Sequence, residues 1–225
     1  MNPAKKVGGD FYDFFMIDDD HLALVLGDVS DKGIPAALFM MTAKTLIKFQ
    51  AQQGLSPSEV LESVNAILFQ SNPEEMFVTV WIGIPDLKTG ILTASNAGHE
   101  LPILSLEGKP FEIFHDPHGM VLAALRESKY KDYELTLKPG HRIVIYSDGV
   151  SDAQNRAQEP FGINRLLETV QFASADPGAE GFTREIWNRI MRYSEGTAQF
   201  DDITLLSVTY TGPVKESEEK GNNQH

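Results

Sequence analysis

The sequence predicts an α+β fold in which two packed antiparallel β-sheets are flanked by helices. Short strand-sized apolar runs are joined by turn residues, and helical patterns occur in pairs between groups of strands. The regular strand–helix alternation of a parallel sheet is absent from the sequence pattern. A length of 225 residues suits one domain, which we expect to span residues 1–212, followed by a disordered charged tail at 213–225.

The first predicted element is a β-hairpin, in which Asp10 to Ile17 and Leu22 to Leu26 flank a polar turn at Asp18-Asp19-Asp20. A long helix begins at Gly33-Ile34-Pro35, and its apolar residues lie on most faces, which predicts a largely buried helix. A capping box at Ser56-Pro57-Ser58-Glu59 begins a second helix. The later elements are strands at about 76–85, 90–97, 101–106, 130–137 and 141–147, helices at about 162–172 and 179–194, and a strand at Ile203 to Tyr210.

Composition excludes several classes of function. The chain has no cysteine, which rules out disulfides, thiol catalysis and thiolate metal sites. Its net charge of −13 disfavours nucleic acid and anionic membranes as partners. No apolar run reaches the length of a membrane span, and no signal peptide follows Met1. We therefore expect a cytoplasmic domain with no nucleic-acid partner and no membrane contact.

Four aspartates fall at the ends of predicted strands. If the first hairpin turns around residues 18–20, Asp10 lies opposite Asp28, with Cβ atoms roughly 5 Å apart. Asp148 follows one apolar strand and Asp201 precedes another, and in an antiparallel sheet such ends share an edge. Four carboxylates at one rim would repel unless cations neutralise them, and oxygen ligands favour Mg²⁺ or Mn²⁺. Each aspartate alone is also typical of an ordinary turn, so that alternative stays open.

Five segments, in this order along the chain, closely resemble the SpoIIE-type (RsbU-like) branch of the metal-dependent serine/threonine protein phosphatases, the PPM family. Together they extend from residue 3 to about residue 210 and are highly specific. The segments are Val7-Gly8-Gly9-Asp10-Phe11-Tyr12-Asp13, the run from Gly27-Asp28-Val29-Ser30 to Leu38, Asn96-Ala97-Gly98-His99, Tyr146-Ser147-Asp148-Gly149-Val150, and Asp201-Asp202-Ile203-Thr204-Leu205.

The resemblance implies an α-β-β-α sandwich with two Mn²⁺ or Mg²⁺ ions at one end. It assigns Asp28 as the ligand that bridges both ions, joined by the main-chain carbonyl of Val29. Lys5 is a candidate for binding phosphate, and Asp202 has at most a supporting role. The resemblance assigns two roles, metal ligand and catalytic residue, to Asp10, Asp28, Asp148 and Asp201.

The function that the resemblance implies is hydrolysis of phosphoserine or phosphothreonine by a hydroxide that bridges the two ions. The expected substrate is a regulator of the anti-anti-sigma (STAS) type in bacterial sigma-factor signalling. We also expect an upstream sensor or regulatory domain in a longer parent protein, and a homodimer is possible.

Two alternatives remain. One is a catalytically weak metal-binding module that acts by docking or regulation. The other, an aspartyl-nucleophile phosphohydrolase, needs Asp-x-Asp after a parallel strand, whereas this strand end has the sequence Asp28-Val29-Ser30-Asp31.

Overall fold

The computed structural model describes residues 1–4, 7–72, 74–106, 109–176 and 178–213. The expected charged tail lies outside the described residues, except for Pro213, and the single domain over 1–212 stays a prediction. The elements are β1 (Phe11–Met16), β2 (Leu22–Val29), α1 (Ile34–Ala51), α2 (Pro57–Gln70), β3 (Val78–Pro85), β4 (Ile91–Ala97), β5 (Ile103–Ser105), β6 (Glu112–Ile113), β7 (Tyr133–Thr136), β8 (Arg142–Tyr146), α3 (Asp148–Asp152), α4 (Gly162–Ala173), α5 (Ala179–Tyr193) and β9 (Leu205–Thr209).

The strands form two antiparallel sheets, as predicted. The first sheet has the order β1-β2-β3-β4-β7 and the second has the order β6-β5-β8-β9. Helices α1 and α2 share a buried core with the first sheet, and α4 and α5 share one with the second. A third core lies between the sheets. The layers therefore run helix, sheet, sheet, helix, which confirms the predicted fold class.

Strand β2 shows how the sequence builds these layers. Ala23 and Val25 pack with the helices on the outer side, while Leu24 and Leu26 pack into the core between the sheets. Both faces of β2 are buried, which explains its nearly continuous apolar sequence. Trp81 of β3 fills the centre of the same intersheet core and donates a hydrogen bond from Nε1 to the Tyr133 hydroxyl at 2.8 Å.

The predicted register of the first hairpin is confirmed. Phe11 pairs with Gly27 and Met16 pairs with Leu22. The same register, continued by one residue, brings Asp10 level with Asp28 at the open end of the hairpin. Gly27 lets the Phe11 ring lie across it, since an added Cβ would stand 2.6 Å from that ring.

Helix α1 is not largely buried, so that prediction was wrong. The face that meets the first sheet and α2 is covered, while the opposite face is open to solvent. The buried residues on that face are Ala36, Phe39, Ala43, Ile47 and Ala51, whereas Ile34, Leu38, Met41 and Phe49 are exposed.

Other differences are local. Strand β6 was missed because two residues carry no periodicity, and Asp148 begins the short helix α3 instead of a simple turn. The strand predicted at 130–137 is confined to Tyr133–Thr136. In the parts of the chain that are described, no helix combines the length and the apolar character needed to cross a bilayer.

Candidate active site

Asp28 and Asp10 meet at the end of the first hairpin. Asp28 is the second-last residue of β2, and Asp10 immediately precedes β1 and is 1% exposed. The two carboxyls share a hydrogen bond. Burial raises the pKa of Asp28 far above its ordinary value, and the nearby charges of Asp10, Asp148 and Asp201 raise it further. The protonation of Asp28 and that of Asp10 therefore depend on each other.

Asp10 is held by two hydroxyl groups from the second sheet. Its Oδ2 accepts hydrogen bonds from Ser147 Oγ at 2.7 Å and from Thr204 Oγ1. Burial raises the pKa of Asp10, while the hydrogen bonds from Thr204, Ser147 and Asp28 oppose that rise. The first hairpin and the second sheet are thus joined at the carboxylate of Asp10.

Asp148 and Asp201 come together because the end of β8 and the approach to β9 touch. A Cβ added to Gly149 would lie 1.9 Å from the carbonyl oxygen of Asp202, so only glycine allows this contact. Burial raises the pKa of Asp148, and the charges of Asp201 and Asp152 add to the rise. The predicted convergence of Asp148 and Asp201 at one edge matches this arrangement.

Lys32 lies beside the acidic cluster and was not singled out from the sequence. Its Nζ is 2.8 Å from Asp201 Oδ2, donates to the carbonyl of Phe200 at 2.6 Å and lies 4.4 Å from the centre of the Phe200 ring. The ammonium also counteracts the rise in the pKa of Asp148. Lys32 and Phe200 are 168 positions apart, and Asp201 follows Phe200 directly. The sequence therefore does not predict that Lys32 contacts this segment.

Asp202 holds the segment that precedes β1. Its Oδ1 accepts from the backbone N–H of Ala4 at 2.7 Å, and its Oδ2 accepts from Gly9 at 2.7 Å and Asp10 at 3.2 Å. The side chain is buried and faces these amides. It therefore positions Asp10, in agreement with the supporting role expected from the sequence.

The main chain at Val29 adds an oxygen to the same place. A Cβ on Gly9 would lie 2.9 Å from the Val29 carbonyl oxygen and 3.4 Å from Asp28 Oδ1. Both oxygens therefore lie close to the backbone of Gly9. Lys5, the candidate for binding phosphate, lies outside the described residues.

His99 belongs to the structural support of the site. Its backbone N–H donates to Asn96 Oδ1 at 2.7 Å, and its ring Nδ1 is 2.8 Å from Thr79 Oγ1. Burial lowers the pKa of His99 to about 3, so the ring is neutral. Thr79 is paired with Asp28 across β2 and β3. His99 thus fixes the turn after β4 next to the strand that carries Asp28.

The donor set fits hard divalent cations in its chemistry. It offers one buried and several half-buried carboxyls, which raise the pKa of Asp28, and a main-chain carbonyl beside them, with no sulfur. Among the described residues, however, no three His, Asp or Glu side chains stand ready to hold one ion. Binding would therefore require these carboxylates to turn toward the cation, which would relieve their mutual repulsion.

The fold matches that of known phosphatase domains. The RsbU and RsbW domains of Rv1364c from Mycobacterium tuberculosis give a TM-score of 0.79 with 24% identity, over 94% of this chain and 57% of that one. The structure of the PP2C phosphatase domain and a regulatory-domain fragment of SpoIIE from Bacillus subtilis gives a TM-score of 0.76 with 15% identity. The match covers 91% of this chain and 59% of that one. RsbX in complex with magnesium gives a TM-score of 0.69 with 19% identity, over 92% of this chain and 90% of that one. These likenesses show that the chain has the fold of PPM-type phosphatase domains.

The sequence comparisons narrow the class to a family. The profile of stage II sporulation protein E (SpoIIE) matches residues 18–211, and the chain belongs to this family, in the SpoIIE-type branch of the PPM phosphatases. Protein IcfG of Synechocystis is 32% identical over 92% of this chain and 37% of its own length. Phosphoserine phosphatase RsbU of Bacillus subtilis is 30% identical over 91% of this chain and 60% of its own length. The chain thus spans between about a third and three fifths of these relatives.

Proposed function

We propose that the chain is a metal-dependent serine/threonine phosphoprotein phosphatase in bacterial signalling. The observation that carries the proposal is the half-buried carboxyl of Asp28, whose pKa is raised by desolvation and by three other aspartates around it. A protein tolerates such a cluster when it serves a function, and a divalent cation is the simplest group to neutralise it. The name of RsbU as a phosphoserine phosphatase supports this assignment.

In this proposal, two Mn²⁺ or Mg²⁺ ions bind at the cluster. Asp28, the Val29 carbonyl, Asp10, Asp148 and Asp201 would hold them. Bound cations supply Lewis-acid polarisation of the phosphate and a water of lowered pKa. Beyond holding the ions, the chain's own residues position the groups: the hydroxyls of Ser147 and Thr204 orient Asp10, and Asp202 fixes the backbone before it.

The substrate that we propose is a phosphorylated regulator of the STAS type. A sensor domain would precede this chain in a longer protein, as the greater length of the curated relatives supports. We also propose that the protein is a cytoplasmic homodimer and that Lys5 binds the phosphate of the substrate. A direct test of the partner is to offer phosphorylated STAS-domain proteins beside an unrelated phosphoserine protein and compare the rates of phosphate release.

The activity itself is tested with para-nitrophenyl phosphate and a phosphoserine protein in the presence of Mn²⁺. We expect the chain to hydrolyse both, and we expect Asp28→Asn to lower kcat/KM by at least about a hundredfold, because it removes the central charge of the site. Asp19→Asn makes the same chemical change in an exposed hairpin turn and serves as the control. A chain that is inert with Mn²⁺, and in which Asp28→Asn changes nothing, would refute the proposal.

One observation favours the alternative of a docking or regulatory module: the described acidic side chains are not preorganised around an ion. Titration calorimetry with Mn²⁺ separates the two functions. Binding of Mn²⁺ without phosphate release from any ester would support the docking module, whereas binding together with turnover would support the phosphatase.

A further inference from the structure

A cavity of about 210 Å³ adjoins the acidic cluster. It lies between α3 and the segment that connects α5 to β9, and Gly149 and Asp201 border it. Asp201 therefore has the cluster on one side and the cavity on the other. A substrate whose phosphate is held at the cluster would place a neighbouring side chain at this opening.

The cavity is smaller than the roughly 300–1,000 Å³ of typical small-molecule sites, so its volume suits a single side chain. Its walls include apolar groups from three places, namely Ala153 after α3, Met191 of α5, and Phe200 before β9. The Phe200 side chain is 78% exposed, which is unusual for a ring of that size. A partner with a long apolar stem would cover it.

The polar groups of the lining are acidic or neutral. Asp152 and Asp201 contribute carboxylates, and none of the described residues that line the cavity is cationic. Asp152 is exposed at the rim, while Asp201 is already paired with Lys32 at 2.8 Å. The hydroxyl of Thr197, another lining residue, is buried and has no hydrogen-bond partner in the described part of the chain. An unsatisfied buried hydroxyl costs roughly 1–3 kcal/mol, and a ligand that donates to it would recover that loss.

We propose that this cavity binds a lysine or arginine side chain that lies close to the phosphorylated residue of the protein substrate. The stem of that side chain packs on Met191 and Phe200, and its cationic end interacts with Asp152 and donates to Thr197. The inference rests on the proposed phosphatase function and adds a substrate class to it: phosphoproteins with a basic residue beside the phosphoserine or phosphothreonine. The acidic lining would disfavour substrates with an acidic residue at the same place.

The test uses phosphoserine peptides in which one lysine moves through the positions on either side of the phosphoserine, with alanine elsewhere. The measured quantity is kcat/KM for each peptide divided by kcat/KM for para-nitrophenyl phosphate, with the whole chain and Mn²⁺. We expect one position to be preferred by about tenfold, at the low end of what a side-chain pocket provides, because Asp152 is exposed. Norleucine at that position should lose most of the preference.

Two variants locate the preference. Asp152→Asn should reduce the lysine preference several-fold, whereas Asp19→Asn, at the far end of the first hairpin, should retain it. Ala198→Leu adds volume at an exposed position of the lining and should reduce the preference as well. Anisotropy of labelled peptides that carry a hydrolysis-resistant phosphonate should give the same ranking without turnover.

The outcomes distinguish this inference from the proposed function. If all peptides and the small ester are hydrolysed and lysine gives no preference at any position, the cavity assignment is wrong while the phosphatase stands. A preference that survives both Asp152→Asn and Ala198→Leu would also overturn the assignment. If no phosphate ester is hydrolysed with Mn²⁺, the phosphatase and the cavity assignment fall together.

Discussion

Asp10 depends on hydroxyl groups that lie far from it in the sequence. Thr204 makes the largest contribution of these to keeping the pKa of Asp10 from rising further. Thr204→Val keeps the shape of the fully buried side chain and removes the hydroxyl, so we expect the pKa of Asp10 to rise by about one unit in the metal-free protein. Carbon-13 NMR titration of the carboxyl measures it. Thr204→Ser, which keeps the hydroxyl, should leave the pKa close to that of the wild type.

Gly9 is the residue against which Val29 and Asp28 expose their oxygens. We expect Gly9→Ala to lower the free energy of unfolding by about 1–3 kcal/mol, since its Cβ would lie 2.9 Å from the Val29 carbonyl oxygen. Chemical denaturation measures the change. Gly178→Ala is the matched control, because among the described residues its Cβ would meet the Asp176 carboxylate alone, at 3.3 Å. Equal stability of both variants would show that the backbone at Gly9 can move away.

The proximity of Asp10 and Asp28 could be predicted from the sequence, because the position of the hairpin turn determines which residues pair. Once the turn is placed at residues 18–20, Asp10 lies level with Asp28. The hydroxyls of Ser147 and Thr204 and the ammonium of Lys32 could not be predicted, since their partners are more than a hundred positions away. Ser147 and Thr204 do stand inside the motifs that carry Asp148 and Asp201. Their position beside those acids is the one signal that could have found them.

At the scale of elements, α1 shows that a sequence pattern does not always predict which face of a helix is buried. Its composition is apolar nearly all round, so periodicity alone could not tell which face would be covered. The capping box of α2, in contrast, was predicted residue by residue, because Ser56 and Glu59 satisfy each other's backbone N–H groups locally. Local hydrogen bonding can be predicted from sequence, whereas burial against a distant sheet cannot.

Two adjacent residues of α1 give a matched test. Phe39 is buried against the first sheet, and Leu38 is 65% exposed. We expect Phe39→Ala to lower the free energy of unfolding by about 3–5 kcal/mol, while Leu38→Ala should change it by less than about 0.5 kcal/mol. Urea denaturation measures both. A large loss with Leu38→Ala would mean that a partner covers the outer face of α1 in solution.

The whole molecule should respond to pH through the acidic cluster. Burial raises the pKa values of Asp28, Asp10 and Asp148, so their contribution to stability is complete at acidic pH and is lost as pH rises through the raised values. We therefore expect the metal-free protein to have a higher Tm at pH 5.5 than at pH 8.5. Asp28→Asn should remove a large part of that difference. A Tm that rises with pH would contradict this account of the cluster.

Cations should restore the stability that high pH removes. With free Mn²⁺ at a hundred times its Kd, mass action adds about 2.7 kcal/mol, which raises Tm by about 5–10 °C for a chain of this size. Differential scanning calorimetry at pH 8 measures the shift. Ca²⁺ and Mn²⁺ compared at equal concentration would show whether the effect is selective. An unchanged Tm in millimolar Mn²⁺ would mean that the cluster binds no ion.

The hydrogen shared by Asp28 and Asp10 has one further consequence. Ion uptake at this place is an exchange, in which each proton expelled to solvent makes room for positive charge from the metal. For every proton released per ion, a fall of one pH unit must be offset by a tenfold higher concentration of free metal to keep the same occupancy. At a fixed concentration of free metal, acidification would then lower the fraction of the clusters that hold an ion.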